Sequence, residues 1–327
     1  MSFLPAAKNN PALAISQLNC RETTEGSMNS DWLTPLLDLD EVRISYDRRA
    51  RILWQFFRPT GRPSFTEGLL GDLRRVKESV RRAFLEPAAA ADGPVRFMIA
   101  ASDIDGVFNL GGNLPLFVDL IRRRDRTGLR RYAYACIDLI HDHANGLSLP
   151  IHNIALVQGD ALGGGFESAL SQETIIAERQ ARFGLPEVLF NMFPGMGAYT
   201  LLSRRINPNE AEKVILSGRV YSADEMHAMG LVDIVVDEGE GEAALYDYIA
   251  RYERQASARR AVMSARRVAR PVAKEELIAI TEIWIDTAMG LDPADIRRME
   301  RLAAAQDRRH AARPGDRHDS APMAAAE

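Results

Sequence analysis

The stretch from residue 153 to residue 187 constrains this chain more than any other. It reads Asn-Ile-Ala-Leu-Val-Gln-Gly-Asp-Ala-Leu-Gly-Gly-Gly-Phe-Glu and runs on to Phe-Gly-Leu-Pro-Glu. Ile154 to Val157 form a short apolar run, the pattern of a buried strand. Gly163, Gly164 and Gly165 follow, where side chains would block close approach to the backbone. Phe166, Glu167 and Leu170 then open a helix. The first N–H groups of a helix lack intrahelical partners, so a strand, glycine turn and helix in this order can hold an anion or a developing oxyanion. Glu167 supplies a carboxylate there and Glu187 a second.

With 327 residues and 46% hydrophobic content, the chain can bury one large core or two smaller ones. A formal net charge of -4 gives no general attraction to nucleic acid or anionic membrane. No window approaches the ~18 uninterrupted apolar residues of a membrane span, and no basic segment precedes an apolar core at the N-terminus. Neither nucleic-acid binding nor membrane insertion is expected. Cys20 and Cys136 fit neither a metal motif nor a disulfide framework, so the expected location is a reducing compartment, the cytoplasm.

Residues 1–40 carry no sustained period and read as a partly disordered extension. Val42, Ile44 and Tyr46 alternate, as do Ile52, Trp54 and Phe56, predicting a hairpin around Asp47-Arg48-Arg49. Ser64-Phe65-Thr66-Glu67 has capping-box spacing, and Leu70, Leu73, Val76, Val80 and Phe84 predict a helix over about 65–85. Val95 to Ala100 form a strand of the kind buried on both faces, which points to a parallel sheet. A second glycine turn, Phe108-Asn109-Leu110-Gly111-Gly112-Asn113-Leu114, follows it. Two such units can bring two N–H donors to one point, an oxyanion hole, although Gly111-Gly112 also fits a tight loop needing positive φ.

Helical patterns cover about 114–146, broken near Thr127-Gly128, and Arg122, Arg123, Arg124, Arg126, Arg130 and Arg131 crowd this stretch. They form either a solvated helix face or a docking patch for a phosphate or an acidic carrier protein. His141 and His143, two apart, lie on different helix faces, and no metal site is expected. Phe193 to Ala198 form a loop that shapes a pocket. Asn207 caps a helix, Ser222 to Glu225 form another capping box, and Gly230 stops that helix before a strand over 231–236. Residues 240–305 read as helix, with Ile278, Ile280, Ile283, Trp284 and Met289 apolar, so Trp284 serves either core or pocket. From 306 to 327 no period survives, and a disordered tail is expected. The resulting organisation is an extension over 1–40, a core over 41–250, a helical region over 251–305 and the tail.

Three strings, Ala161-Leu162-Gly163-Gly164-Gly165-Phe166-Glu167, Phe183-Gly184-Leu185-Pro186-Glu187 and Pro194-Gly195-Met196-Gly197, resemble the crotonase (enoyl-CoA hydratase/isomerase) superfamily in order and spacing. The resemblance extends through Tyr221-Ser222-Ala223 and Gly230-Leu231-Val232, covering about 42–250. Within the superfamily, Ile154 to Gly159, Leu185 to Phe190, Phe193 to Tyr199 and Thr281-Glu282-Ile283-Trp284 are similar to the diffusible-signal-factor (DSF) synthases of bacterial quorum sensing.

This resemblance implies an α/β crotonase spiral of repeated ββα units, two roughly perpendicular sheets and a helical C-terminal region. It implies an oxyanion hole at Gly112 and Gly164, with Gly111 as the fallback, and acid/base roles for Glu167 and Glu187. Alpha-proton removal falls to Glu187 and hydroxyl protonation to Glu167. Met196, Trp284 and Leu302 would line the acyl tunnel. Asn113 stands where many members have Asp, removing a favourable charge at a helix start. The synthase reading implies a 3-hydroxyacyl chain on the phosphopantetheine of acyl carrier protein (ACP), or on CoA, with no further cofactor. Dehydration to a cis-2-enoyl thioester is followed by hydrolysis, as a thioesterase, to the free fatty acid. Arg122, Arg123, Arg126 and Arg130 would dock the carrier, a sensor kinase could be a further partner, and a homo-oligomer, trimer or hexamer, is expected. Two alternatives stand beside it: an enoyl-CoA hydratase/isomerase of fatty-acid metabolism, and a non-catalytic protein using the fold for binding.

Overall fold

The computed structural model describes residues 31–85 and 93–311. Most of the extension expected over 1–40, and the tail from 312 onward, lie outside the described residues. Strands β1 (Val42–Asp47) and β2 (Ile52–Phe57) form the antiparallel hairpin. Asp47 Oδ1 closes its turn by accepting from Ala50 N at 2.9 Å. Then β3 (Phe97–Ser102), β5 (His152–Val157), β7 (Thr174–Glu178) and β10 (Ile234–Val236) extend it in parallel, giving the order β1-β2-β3-β5-β7-β10.

A second sheet holds β4 (Val107–Asn109), β6 (Asp160–Leu162), β8 (Arg182–Gly184) and β9 (Val220–Ser222) in the order β4-β6-β8-β9. The pairs β3/β4, β5/β6 and β7/β8 each send one strand to each sheet, and this alternation is the spiral repeat. Every residue of β5, β6 and β7 is buried, and the apolar run Ile154 to Val157 forms most of β5.

Helix α1 (Glu67–Leu85) covers one face of the large sheet through Leu69, Leu73, Val76 and Val80. Its cap is Thr66, whose Oγ1 accepts from Leu69 N at 2.9 Å and donates to Glu41. Ser64, two positions earlier, has a buried hydroxyl without a partner, so the helix starts later than the capping-box spacing implies. Beneath α1 the short 3-10 turn Asp31–Leu36 buries Trp32 and Leu36. Helices α2 (Leu114–Arg122) and α3 (Arg126–Ala144) replace the single interrupted pattern. The break falls at Arg123 to Asp125, ahead of Thr127-Gly128, because Arg124 takes φ 56° and Asp125 caps the N–H of Gly128 at 2.8 Å.

Helices α4 (Gly164–Leu170), α5 (Ala198–Arg205), α6 (Pro208–Ser217) and α7 (Ala223–Ala228) follow, with the caps at Asn207 and Ser222 formed as their residue types dictate. Helix α8 (Gly241–Glu253) covers the other face of the large sheet with Leu245, Ile249 and Tyr252. Helices α9 (Ala256–Ala269), α10 (Lys274–Met289) and α11 (Pro293–Ala311) complete the chain, with α10 against α3 and α11 against α2. The helix α11 occupies 306–311, where a disordered tail was expected. Ala303, Ala304 and Ala305 are strong helix formers, and Arg62 reaches Gln306 and Asp307 to hold the last turns. No helix among the described residues is long and apolar enough to cross a membrane.

Candidate active site

The two glycine turns meet backbone to backbone. Asn109 at the end of β4 accepts from Gly111 N at 2.8 Å through its side chain, folding the first turn back on itself. Gly111 has φ +94°, and a Cβ there would lie 2.8 Å from Gly164 N and Leu162 O. A Cβ on Gly165 would lie 2.0 Å from Asn109 O. Only glycine permits either approach. The N–H of Gly112 and that of Gly164, at the start of α4, have no acceptor among the described residues, and the Cβ direction of Gly164 passes 3.4 Å from Gly112 N. The N–H of Gly111, the fallback donor, is engaged by the Asn109 side chain.

Glu167 sits in the first turn of α4, 1% exposed. Its Oε1 accepts from Met196 N and Ala198 N, both at 2.9 Å, so the loop before α5 binds the carboxyl directly. Burial pushes its pKa up to about 7, held back by those two N–H donors. Glu187 is the second residue of the 3-10 turn Pro186–Phe190. Its Oε1 lies over Gly163, where a Cβ would be 2.6 Å away, and its Oε2 is enclosed without a hydrogen-bond partner. Burial first, and then the charge of Glu167, push its pKa up to about 8.

Both carboxyls face one cavity of about 30 Å³, walled by Leu114, Phe117, Ile121, Met192, Trp284 and Met299 among others. An adjoining space of about 10 Å³ shares Gly164, Glu167 and Met196, and reaches Gly112. The site is thus closed around its carboxyls, and Met192, Met196 and Met299, whose unbranched side chains reshape readily, are the adaptable part of its walls. Trp284 is a wall of this cavity. Its ring stands edge-on to Phe117 at 5.3 Å between centroids and leaves no room for a Cβ on Gly195, which would lie 2.3 Å from it. Thr281 fixes that contact by donating to Gly195 O at 2.8 Å.

Leu302 does not line the cavity and packs at the edge of the core, while Met299, one helical turn earlier on α11, reaches inside. The helical phase of α11 decides this, and the sequence pattern around 302 does not reveal it. Asn109 and Met299 are the site residues that sequence reasoning missed. An Asn immediately before a glycine turn is the signal that could have found the first.

The four docking arginines are engaged within the chain. Arg130 makes a two-pronged pair with Glu282 at 2.6 and 2.7 Å, Arg126 reaches Glu282 at 3.0 Å and also Asp286, Arg122 pairs with Glu300 at 2.9 Å, and Arg123 with Asp119 at 2.9 Å. Arg122, Arg126 and Arg130 clasp α10 and α11 to α2 and α3, whereas the Arg123 pair is local to α2. The acids that hold Arg126 and Arg130 lie 152 to 160 residues away in sequence, which local charge counting cannot see. Among the described residues no cluster of His, Cys, Asp and Glu could hold a metal ion.

The sequence profile of the Enoyl-CoA hydratase/isomerase family matches residues 87–284. Mouse mitochondrial methylglutaconyl-CoA hydratase is 29% identical over 209 residues, which are 63% of this chain and 62% of that protein. The chain spans about six-tenths of the length of such curated relatives. Enoyl-CoA hydratase from Bacillus halodurans superposes with a TM-score of 0.65 at 20% identity, over 80% of this chain and 100% of that one. Human mitochondrial delta3-delta2-enoyl-CoA isomerase superposes at 0.67 with 18% identity, over 83% and 99%. The alternating two-sheet spiral, the paired glycine turns and a profile match over more than half its length place this chain in the crotonase superfamily, as a member of the enoyl-CoA hydratase/isomerase family.

Proposed function

We propose that this protein moves water across the α,β positions of an acyl thioester, interconverting 2-enoyl and 3-hydroxyacyl forms. The observation that carries the proposal is the pair of enclosed carboxyls, Glu167 and Glu187, facing one apolar cavity beside the N–H groups of Gly112 and Gly164. A thioester oxygen within reach of those donors would gain stabilisation as it takes on enolate charge, and loss of one such donor costs about 3–4 kcal/mol.

The two carboxyls divide the work through their surroundings. Two backbone donors favour an ionised Glu167, whereas Glu187 holds its proton to about pH 8. From that resting state Glu167 takes a proton from water as the oxygen bonds to Cβ, and Glu187 delivers its proton to Cα as the enolate collapses. Dehydration is the same path reversed, beginning with the proton on Glu167: Glu187 then removes the α-proton and Glu167 protonates the departing hydroxyl. The resting protonation suits hydration. The relatives, hydratases by name, support this version, with a CoA thioester as substrate and no further cofactor.

A second reading is the DSF synthase, in which a cytoplasmic 3-hydroxyacyl-ACP is dehydrated and then hydrolysed in the same site to a free cis-2-unsaturated acid. What favours it is Trp284, which walls the cavity from within the Thr281-Glu282-Ile283-Trp284 string that carries the narrower resemblance. In its second step water would add to the thioester carbonyl, the oxyanion would rest on the same two N–H groups, and the C–S bond would break as the thiol leaves with a proton. Purified protein incubated with 3-hydroxydodecanoyl-CoA, its carrier-protein counterpart and the 2-enoyl thioesters, followed by mass spectrometry, separates the readings. Interconversion without free acid selects the hydratase, and free acid selects the synthase. Turnover that survives in both Glu167→Ala and Glu187→Ala, or no turnover by the wild type, would overturn the proposal.

A further inference from the structure

Away from the two carboxyls, a cleft of about 240 Å³ is lined by Arg204, Arg205, Arg266, Arg267 and Arg270 against the carboxylates Glu173 and Asp233. It lies where the C-terminal ends of α3, α4, α5 and α9 converge. Arginines at helix C-termini are ordinarily there to satisfy carbonyls and the negative end of the dipole. Two of these five do so. Arg204 is saturated by Thr200 O, Pro271 O and both oxygens of Glu276, and Arg205 donates to Gln172 O and Leu231 O.

The remaining three have donors to spare. The guanidinium of Arg266 has no hydrogen bond or ion pair among the described residues, and that of Arg270 makes a single bond, to Arg204 O at 2.6 Å. Arg267 uses one nitrogen for Glu173 at 2.8 Å and Ile151 O, leaving its Nε enclosed with no acceptor. An enclosed guanidinium N–H without a partner is unfavourable, so such an atom marks a place that an acceptor would fill. Arg205 adds to the imbalance: burial holds its pKa below the ordinary value, and its ion pair with Asp233 is long, at 3.6 Å.

We propose that this cleft is a binding site for a small phosphorylated metabolite, with Arg266, Arg267 and Arg270 as the donors to its phosphate oxygens. Planar guanidinium forks match phosphate geometry, and three converging on one cavity select a multiply charged anion over a carboxylate. The volume, about 240 Å³, lies just below the ~300–1,000 Å³ typical of small-molecule sites, which suits a phosphate group with a small attached body. The cleft also adjoins the far ends of α4 and α5, the helices that carry Glu167 and one of its two N–H donors.

The test is calorimetric titration of the full chain with inorganic pyrophosphate at physiological salt. A Kd below about 1 mM is expected, weakened at least tenfold in the double variant Arg266→Glu, Arg270→Glu. Both side chains are exposed and neither holds an ion pair, and thermal melting confirms that the variant is folded; Arg266→Gln alone, with a smaller loss, serves if it is not. Arg251→Glu, an exposed arginine of α8 outside the cleft, should bind as the wild type does. Absence of binding at millimolar pyrophosphate, equal affinity in the cleft variants, or an equal loss in Arg251→Glu would each overturn the site.

Discussion

Replacing Glu187 by Gln should make the folded protein's stability less sensitive to pH between about 4.5 and 8. In the unfolded chain this carboxyl loses its proton near the ordinary value of 4.5, whereas in the folded protein it holds the proton to about 8. Between those values the folded state binds more protons than the unfolded one, so the wild type loses stability as pH rises and levels off above about 8. At about 1.4 kcal/mol per pH unit, a span of roughly 3.5 units sets a ceiling near 5 kcal/mol. Part of the shift comes from the charge of Glu167, which itself ionises only near 7, so the change across the window is expected at about 3–5 kcal/mol. Gln cannot titrate and lacks this dependence. Its amide would meet the unpartnered position now held by Oε2, adding a constant cost of about 1–2 kcal/mol that moves the curve without tilting it. Urea unfolding followed by tryptophan fluorescence at a series of pH values gives the difference between variant and wild type. That difference should tilt toward the variant from pH 4.5 to 8 and then flatten. A flat difference, or a tilt toward the wild type, would refute the claim that Glu187 is held protonated by its surroundings.

Gly165→Ala should destabilise the fold by about 3 kcal/mol and abolish turnover, because its Cβ would strike the backbone oxygen of Asn109, which cannot swing aside; a thermal melt within a degree or two of wild type would contradict the backbone contact between the turns. The double variant Arg126→Ala, Arg130→Ala should speed proteolytic cleavage between α9 and α10 and raise KM for every acyl substrate alike, since the clasp on Glu282 and Asp286 is lost. A raised KM for carrier-bound substrate alone, with proteolysis unchanged, would return those arginines to a docking role.

What the sequence made legible was local. Ile154 to Val157 announced a buried strand, the glycine triplet announced a backbone approach, and Asn207 and Ser222 announced helix starts, because each depends on neighbours within a few residues. Glu167 and Glu187 stood out for the same reason, by their place beside those turns. Contacts made at long range did not stand out. Nothing near Glu167 announces that Met196 and Ala198 will donate to its Oε1, and nothing near Arg130 announces Glu282. Thr66 outcompeted Ser64 as a cap through Glu41, a partner on the other side of the hairpin. Leu302 and Met299 differ by three positions on one helix, so only the packed orientation of α11 separates a cavity wall from a peripheral residue.

The clasp between α3 and α10 has a consequence for biosynthesis. Its ion pairs join residues 152 to 160 positions apart, so the wall bearing Trp284 and Met299 leaves the ribosome long after Phe117 and Ile121 do. At roughly 5–20 residues per second, the interval is on the order of ten to thirty seconds. During it the nascent chain exposes the apolar side of α2 and cannot retain an acyl group, and a chaperone that shields that face until α10 arrives would govern the yield of competent protein.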